Sequence, residues 1–156
     1  MKKEVRLYNV LFPIWMFFLF PTFAWLVILP INFAIDSLVL ILALKFSKFH
    51  DILDIWKKSI WKIWIIGFLS DFVGAVIIYL IMLIIDSLNL GWNLVLFPGT
   101  TLISIPGVII AGILIYFLNR KFSFKKCYLN AKQIHRYSLA LAVFTAPYAM
   151  LIPLYG

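Results

Sequence analysis

The fourteen basic residues of this chain fall into three clusters, and the long stretches between and after those clusters carry no positive charge. These stretches, which contain neither Lys nor Arg, are residues 7–44, 63–119 and 137–156. The chain is 65% hydrophobic and 13% charged, far from the composition of soluble globular proteins. The pattern therefore predicts an all-α integral membrane protein that forms a single membrane domain.

The lengths of these stretches convert into numbers of membrane crossings, because a transmembrane helix needs about 20 apolar residues. The first stretch can hold a hairpin of two crossings, the second two crossings with a turn, and the third one crossing. The sequence thus predicts five spans, at approximately 8–24, 28–45, 63–86, 95–118 and 138–155. Three prolines interrupt the first hairpin, so residues 7–20 are compatible with either a full span or a re-entrant or interfacial segment.

The one-sided distribution of Lys and Arg predicts the orientation of these spans. Basic loops face the cytoplasm, so the N-terminus is expected inside and the C-terminus outside, in a multi-pass protein of the cell membrane. Trp25 and Trp92 lie in the middle of the first two stretches, where the outer turns are expected, which fits the preference of Trp for the membrane interface. Glu4 and the absence of a small-x-small cleavage site argue against a cleaved signal peptide.

Two cytoplasmic loops are predicted, and both are basic. Apolar residues within 46–62 recur with the helical period, which predicts an interfacial amphipathic helix, and 119–137 forms the second loop. The residues expected to contact anionic lipid are Lys57, Lys58, Lys62, Arg120, Lys121, Lys125 and Lys126. Because topology accounts for the charge, nucleic acid is not expected as a partner. His50, Cys127 and His135 lack metal-ligand spacing, and no metal or cofactor is expected.

Two acidic residues are predicted to lie near the middle of the bilayer. Asp36 precedes Lys45 by nine residues, and Asp71 follows Lys62 by nine, so each lies about 13 Å from the cytoplasmic boundary. A carboxylate at that depth is costly unless it is paired, hydrated or protonated, and these stretches contain no basic partner. Asp71, Asp36 and Asn32, stacked one turn from Asp36, are therefore candidates for binding a proton or cation.

Small residues and backbone breakers mark two further features. Gly67, Ser70 and Gly74 share a helix face with Asp71, so another helix is expected to pack closely there. The fourth span carries candidates for a pore or helix break, which are Pro98, Gly99, Thr100, Thr101, Ser104, Pro106 and Gly107. Ordinary kinks in a membrane helix would explain the same residues.

Three functions from different classes fit these features. The first is a transporter or channel-like protomer with an intramembrane carboxylate site; its small size implies a parallel homo-oligomer or an unlike membrane subunit. The second is a non-catalytic subunit or assembly partner in which Asp36 and Asp71 form hydrogen bonds between helices. The third, a membrane-embedded enzyme, lacks the Gly-x-Gly-Asp and Pro-Ala-Leu motifs of aspartyl intramembrane proteases. The sequence favours the first function, without enzyme activity.

Overall fold

A computed structural model describes residues 23–88 and 99–151, and every regular element within those ranges is a helix. The four α-helices are α1 (Phe23–Phe46), α2 (Ile52–Ser87), α3 (Gly99–Leu118) and α4 (Ala131–Phe144). A π-helical turn, Asn119–Ser123, continues α3, and a 3-10 turn, Tyr148–Leu151, follows α4. The predicted all-α class is confirmed for the described part of the chain.

Three of the helical segments are long and apolar enough to cross a membrane, and they indicate a membrane-embedded protein. They cover Leu26–Phe46, Ile52–Ser87 and Thr101–Ser123. The predicted spans 28–45, 63–86 and 95–118 overlap them. The predicted span 8–24 lies outside the described residues, except for its last two positions.

Helix α2 joins two segments that the hydropathy pattern separates. The amphipathic stretch before residue 63 and the span after it form one helix of 36 residues, about 54 Å long. Neither Pro nor Gly occurs between Asp51 and Gly67, so nothing in the backbone ends the helix there. Since the hydrocarbon core is about 30 Å thick, one end of α2 must project beyond it if the helix crosses.

Helix α4 is shorter than the span predicted at 138–155 and begins earlier. A capping box fixes its start, because the Asn130 side chain accepts a hydrogen bond from the Gln133 backbone and the Gln133 side chain accepts one from the Asn130 backbone. The helix has 14 residues, or about 21 Å, and ends at Phe144. Pro147 follows, and proline disfavours helical conformation in the preceding residue. A continuous helix through 138–151 is therefore not formed.

The four helices pack in a ring, in which α1 contacts α2, α2 contacts α3, α3 contacts α4, and α4 returns to α1. All four contribute to one apolar core, whose members include Leu40, Leu44, Ile55, Ile63, Ile115, Tyr137 and Leu141. At the same end of the bundle, Lys62 Nζ donates to the backbone carbonyl of Phe122 at 3.5 Å. The fold thereby brings together two basic segments that are far apart in the sequence.

Helices α2 and α3 approach each other closely at two glycines. A Cβ on Gly74 would lie 2.8 Å from the carbonyl oxygen of Gly107 and 3.1 Å from the Cβ of Ala111. A Cβ on Gly107 would lie 2.7 Å from the carbonyl oxygen of Gly74 and would overlap the Ile78 side chain. Backbone lies against backbone here, and neither position has room for a side chain.

Replacing either glycine with alanine should therefore weaken the α2–α3 contact. We expect Gly107→Ala and Gly74→Ala each to lower the free energy of unfolding by about 1–3 kcal/mol, the usual cost of overpacking. Unfolding of the purified protein in mixed detergent micelles measures this change.

The matched control for these two variants is Gly112→Ala. A Cβ on Gly112 would lie 3.7 Å from the carbonyl oxygen of Ala142 in α4, which is ordinary van der Waals contact. This variant should leave the stability unchanged or slightly raised, since alanine favours a helix over glycine. Equal effects at all three positions would contradict the close approach of α2 and α3.

Candidate carboxylate site

Asp36 of α1 lies inside the bundle, with only 6% of its surface exposed. Its Oδ2 would lie 3.5 Å from a Cβ on Gly67, so α2 presents a side-chain-free surface to this carboxyl group. From the end of α4, the side chain of Thr145 hydrogen-bonds to the same carboxyl group. Three elements of the fold therefore meet at a single acidic side chain.

Asp71 of α2 is half-buried and lies close enough to Asp36 for the two carboxyl groups to interact electrostatically. Its Oδ1 is buried and has no hydrogen-bond partner among the described residues. A buried polar oxygen without a partner is unfavourable, so a proton, a cation or a water molecule at this atom would be stabilising. The structure thus brings together the two acids that sequence analysis placed at equal depth.

Thr145 links Asp36 to the backbone of α4. Its Oγ1 donates to the carbonyl oxygen of Leu141 at 2.8 Å. A hydroxyl group has one hydrogen and two lone pairs, so Thr145 can donate to the Leu141 carbonyl or to the Asp36 carboxylate, but not to both at once. Thr145 can also accept from Asp36 when that carboxyl group is protonated.

Among the described residues, the helical backbone is continuous at Pro106 and interrupted after α4. Helix α3 runs unbroken from Gly99 to Leu118 and includes Pro106. Helix α4, in contrast, stops at Phe144, directly before Thr145. Membrane helices tolerate an internal proline, because neighbouring groups and small local adjustments satisfy the freed carbonyl.

Beyond this break the chain continues along α3. Near the C-terminal end of α3, the Tyr116 hydroxyl lies 2.7 Å from Nδ1 of His135 in α4. Near the other end, Thr101 Oγ1 donates to the carbonyl oxygen of Leu151 at 3.0 Å. The contacts on α3 are about 22 Å apart, so residues 135–151 follow α3 over that distance with an interruption at the level of Thr145.

The other residues that the sequence predicts for the site are distributed over α1, α2 and α3. Asn32 is half-buried, one turn before Asp36. The hydroxyl group of Ser70 is buried and donates to the Ile66 carbonyl at 2.7 Å, within its own helix. Gly99 and Thr100 begin α3, Ser104 is buried in it, and Pro98 lies outside the described residues.

A second polar cluster, which the sequence analysis did not anticipate, connects α3 to α4 at the basic end. Arg120 Nη1 donates to the Tyr116 hydroxyl at 2.8 Å, and that hydroxyl in turn contacts His135. Tyr116 and Arg120 are one helical turn apart, a spacing that the sequence does show. His135 contacts Tyr116 only because α4 packs against α3, and no local sequence pattern predicts that contact.

The π-helical turn contains its own buried hydrogen bonds. Ser123 Oγ donates to Asn119 Oδ1 at 2.5 Å, and Asn119 Nδ2 donates to the Ile115 carbonyl at 2.9 Å. Both side chains are fully buried. These bonds satisfy backbone and side-chain groups where the helix widens, so this pair has a structural role.

Comparison with known proteins yields no matching family model, no matching curated protein and no matching solved structure. The class of the protein therefore follows from its fold and site alone. Across its described residues it is a helical bundle with three helices that could span a membrane. Within that bundle, two acidic side chains interact beside a break in a fourth helix. Those residues contain no group of three or more His, Cys, Asp or Glu side chains that could hold a metal ion.

The hydrogen bond between Asp36 and Thr145 can be tested through stability. Thr145→Val keeps the shape of the side chain but removes the hydroxyl group, which leaves the buried carboxyl group of Asp36 without this hydrogen bond. We expect this variant to lower the free energy of unfolding by about 1–3 kcal/mol. Thr145→Ser should retain most of the stability, because it retains the hydroxyl group.

A double-mutant cycle with Asp36→Asn separates this hydrogen bond from general packing at Thr145. If the bond exists, the effects of Asp36→Asn and Thr145→Val should deviate from additivity by at least about 0.5 kcal/mol. Additive effects of the two changes would contradict the contact.

Proposed function

We propose that this protein is a multi-pass protein of the cell membrane that moves a proton or small cation through a site formed by Asp36 and Asp71. The observation that carries the proposal is the electrostatic interaction of the two carboxyl groups, one of which, Asp36, contacts Thr145 at the end of α4. Acidic residues inside a membrane are costly and mark ion pathways and proton relays. Interrupted helices whose ends face such acids are typical of ion-coupled transporters.

The two acids have different roles in this proposal. Asp36 is the fixed member, because Gly67 leaves room for it and Thr145 hydrogen-bonds to it. Asp71 is the exchanging member, because it is more exposed and its Oδ1 is unpaired within the described residues. Arrival of one positive charge at Asp71 relieves the repulsion between two neighbouring carboxylates, and its departure restores that repulsion. This difference between the loaded and unloaded site is what a carrier needs to release its ion.

The end of α4 adds oxygen atoms to the same region. The last carbonyl groups of a helix lack partners within the helix and carry partial negative charge. Two of these are already occupied: Leu141 accepts from the backbone and the side chain of Thr145, and Val143 accepts from the Tyr148 hydroxyl. The other carbonyl groups of the last turn lie near Asp36, which Thr145 contacts, and the proposal assigns them as further oxygen ligands of the bound cation. Such helix ends coordinate Na⁺ or H⁺ sites in other membrane proteins.

A single copy of the chain buries little of its own apolar surface. Of the apolar window in α1, 11% is buried, against 28% in α2 and 33% in the α3 segment. Lipid or another subunit must cover the rest. We therefore include in the proposal a parallel homo-oligomer, or a complex with an unlike membrane subunit, that completes the ion path.

Ion flux in reconstituted vesicles tests the proposed function. We expect wild-type protein to move protons or monovalent cations down a gradient. Asp71→Asn should reduce the rate at least about tenfold, because the variant keeps the size of the side chain but cannot ionise. Asp86→Asn is the matched control: it removes the same charge from an exposed position near the end of α2 and should leave the flux unchanged.

Two results would overturn the transport proposal. One is the absence of flux by the wild-type protein with any of the ions tested. The other is equal flux by the wild-type protein and Asp71→Asn. Purification in mild detergent with an unlike membrane protein in fixed ratio would, in either case, favour the subunit hypothesis. Under that hypothesis, Asp36 and Asp71 only hold helices together.

The orientation belongs to the same proposal and has its own test. With five crossings and all basic residues inside, the N-terminus is cytoplasmic and the C-terminus is outside. A reporter fused after Gly156, or inserted at Trp92, should therefore be active only outside the cytoplasm. A cytoplasmic signal from either position would refute the five-span topology without affecting the chemistry of the carboxyl groups.

A further inference from the structure

Lysines from two distant segments of the chain converge on one surface at the basic end of the bundle. Lys62 of α2 donates to the backbone of Phe122, and Lys58, one turn earlier, lies 5.8 Å from the centre of the Tyr128 ring. Lys121 and Lys125 each lie 5.4 Å from the centre of the Phe122 ring. We call these four lysines with Phe122 and Tyr128 the basic–aromatic surface.

Positive charge on this surface is largely uncompensated. Residues 51–62 and 119–130 contain seven basic side chains and two acidic ones, Asp51 and Asp54. Asp54 is already paired with Lys58, at 2.6 Å. The remaining ammonium groups thus require an external source of negative charge, and a surface so arranged attracts anions in proportion to their local concentration.

The aromatic side chains indicate which anion. Tyr128 is 95% exposed and Phe122 is 41% exposed, although each lies beside a lysine. Phe122 belongs to the apolar segment Thr101–Ser123, so it lies at the end of a helix that could span the membrane. Aromatic rings at that level are typical of the region where lipid headgroups meet hydrocarbon.

The shape of the surface favours lipid over a small dissolved anion. The four ammonium groups are carried on flexible side chains, two from α2 and two from the π-helical turn and the turn that follows it, and Lys58 is exposed. A site for a single phosphate ion needs converging donors in an enclosed cradle. An open row of charges next to an apolar ring instead matches several headgroup phosphates lying side by side above their acyl chains.

We propose that the basic–aromatic surface binds the headgroups of anionic phospholipids in the cytoplasmic leaflet, with Phe122 and Tyr128 inserted between them. This inference goes beyond the proposed function and does not depend on ion transport. The proposed site consists of four lysines and two aromatic rings, and is thus more specific than a general attraction of the basic loops to anionic lipid.

Lipid retention by the purified full-length protein tests the proposal. After incubation with either phosphatidylglycerol or phosphatidylcholine, native mass spectrometry counts the lipid molecules that remain bound. We expect the wild-type protein to retain phosphatidylglycerol preferentially. Each lysine neutralised should weaken its apparent affinity by up to about fivefold, so Lys121→Gln combined with Lys125→Gln should remove most of the preference.

The matched control neutralises Lys132 and Arg136 in the same way. Both residues are exposed on α4, whereas the cations placed over the Phe122 and Tyr128 rings are Lys58, Lys121 and Lys125; the loss of charge is identical. The preference for phosphatidylglycerol should persist in this variant. An equal loss in both double variants would overturn the specific site, as would equal retention of the two lipids by the wild-type protein.

Cys127 provides a second measurement that does not depend on mass spectrometry. It is the single cysteine of the chain, it lies beside Tyr128, and it interacts electrostatically with Lys58 and Lys62. Burial raises the pKa of the Cys127 thiol, so its alkylation should be followed at mildly alkaline pH. In vesicles containing phosphatidylglycerol, bound headgroups should slow alkylation in the control variant more than in the Lys121/Lys125 variant.

Inorganic phosphate distinguishes the two possible sources of the anion. If millimolar phosphate without lipid slows alkylation of Cys127 as much as phosphatidylglycerol does, the surface binds a dissolved anion and the lipid proposal fails. If phosphate has no effect while phosphatidylglycerol slows alkylation, the headgroup together with its apolar anchor is the ligand.

Discussion

The cost of placing a carboxyl group among apolar helices governs the interior of this bundle. Asp36 is buried on an otherwise apolar helix. Its carboxyl group lies next to a glycine of α2 and hydrogen-bonds to a hydroxyl group at the end of α4. Neither partner carries a charge, so the carboxyl group is accommodated by space and by a hydrogen bond. That solution requires α4 to stop where it does, because Thr145 is the first residue after the helix.

Close packing elsewhere permits this arrangement. At Gly74 and Gly107 the backbones of α2 and α3 touch, and at the basic end all four helices share one apolar core. Van der Waals contact between small residues is the main attraction available to helices in lipid, where burial of apolar surface supplies little. The bundle therefore has two tightly packed regions in addition to the carboxylate site. At the π-helical turn, the side chains of Asn119 and Ser123 are hydrogen-bonded to each other.

Much of this architecture could be predicted from the sequence, because hydropathy and helical period are local properties. The helical class follows from composition, and Asp36 and Asp71 were placed at one depth by counting residues from the nearest lysines. What could not be predicted depends on tertiary contacts. Thr145 carries no motif and comes from the far end of the chain, and His135 meets Tyr116 only because α4 packs on α3. Pro106 was one of the candidates for a helix break, with an ordinary kink as the alternative, and the helix is continuous there, whereas Pro147 follows a helix that ends. A proline shows where a helix is able to stop, and packing decides whether it does.

The unbroken length of α2 has a mechanical consequence. One continuous helix of 36 residues carries Lys58 and Lys62 in its first turns and Asp71 beyond them. No proline interrupts it, and the helix contains glycine only at positions 67 and 74. Its end that carries the lysines and the carboxyl group of Asp71 therefore belong to one element, and a displacement of one is transmitted to the other.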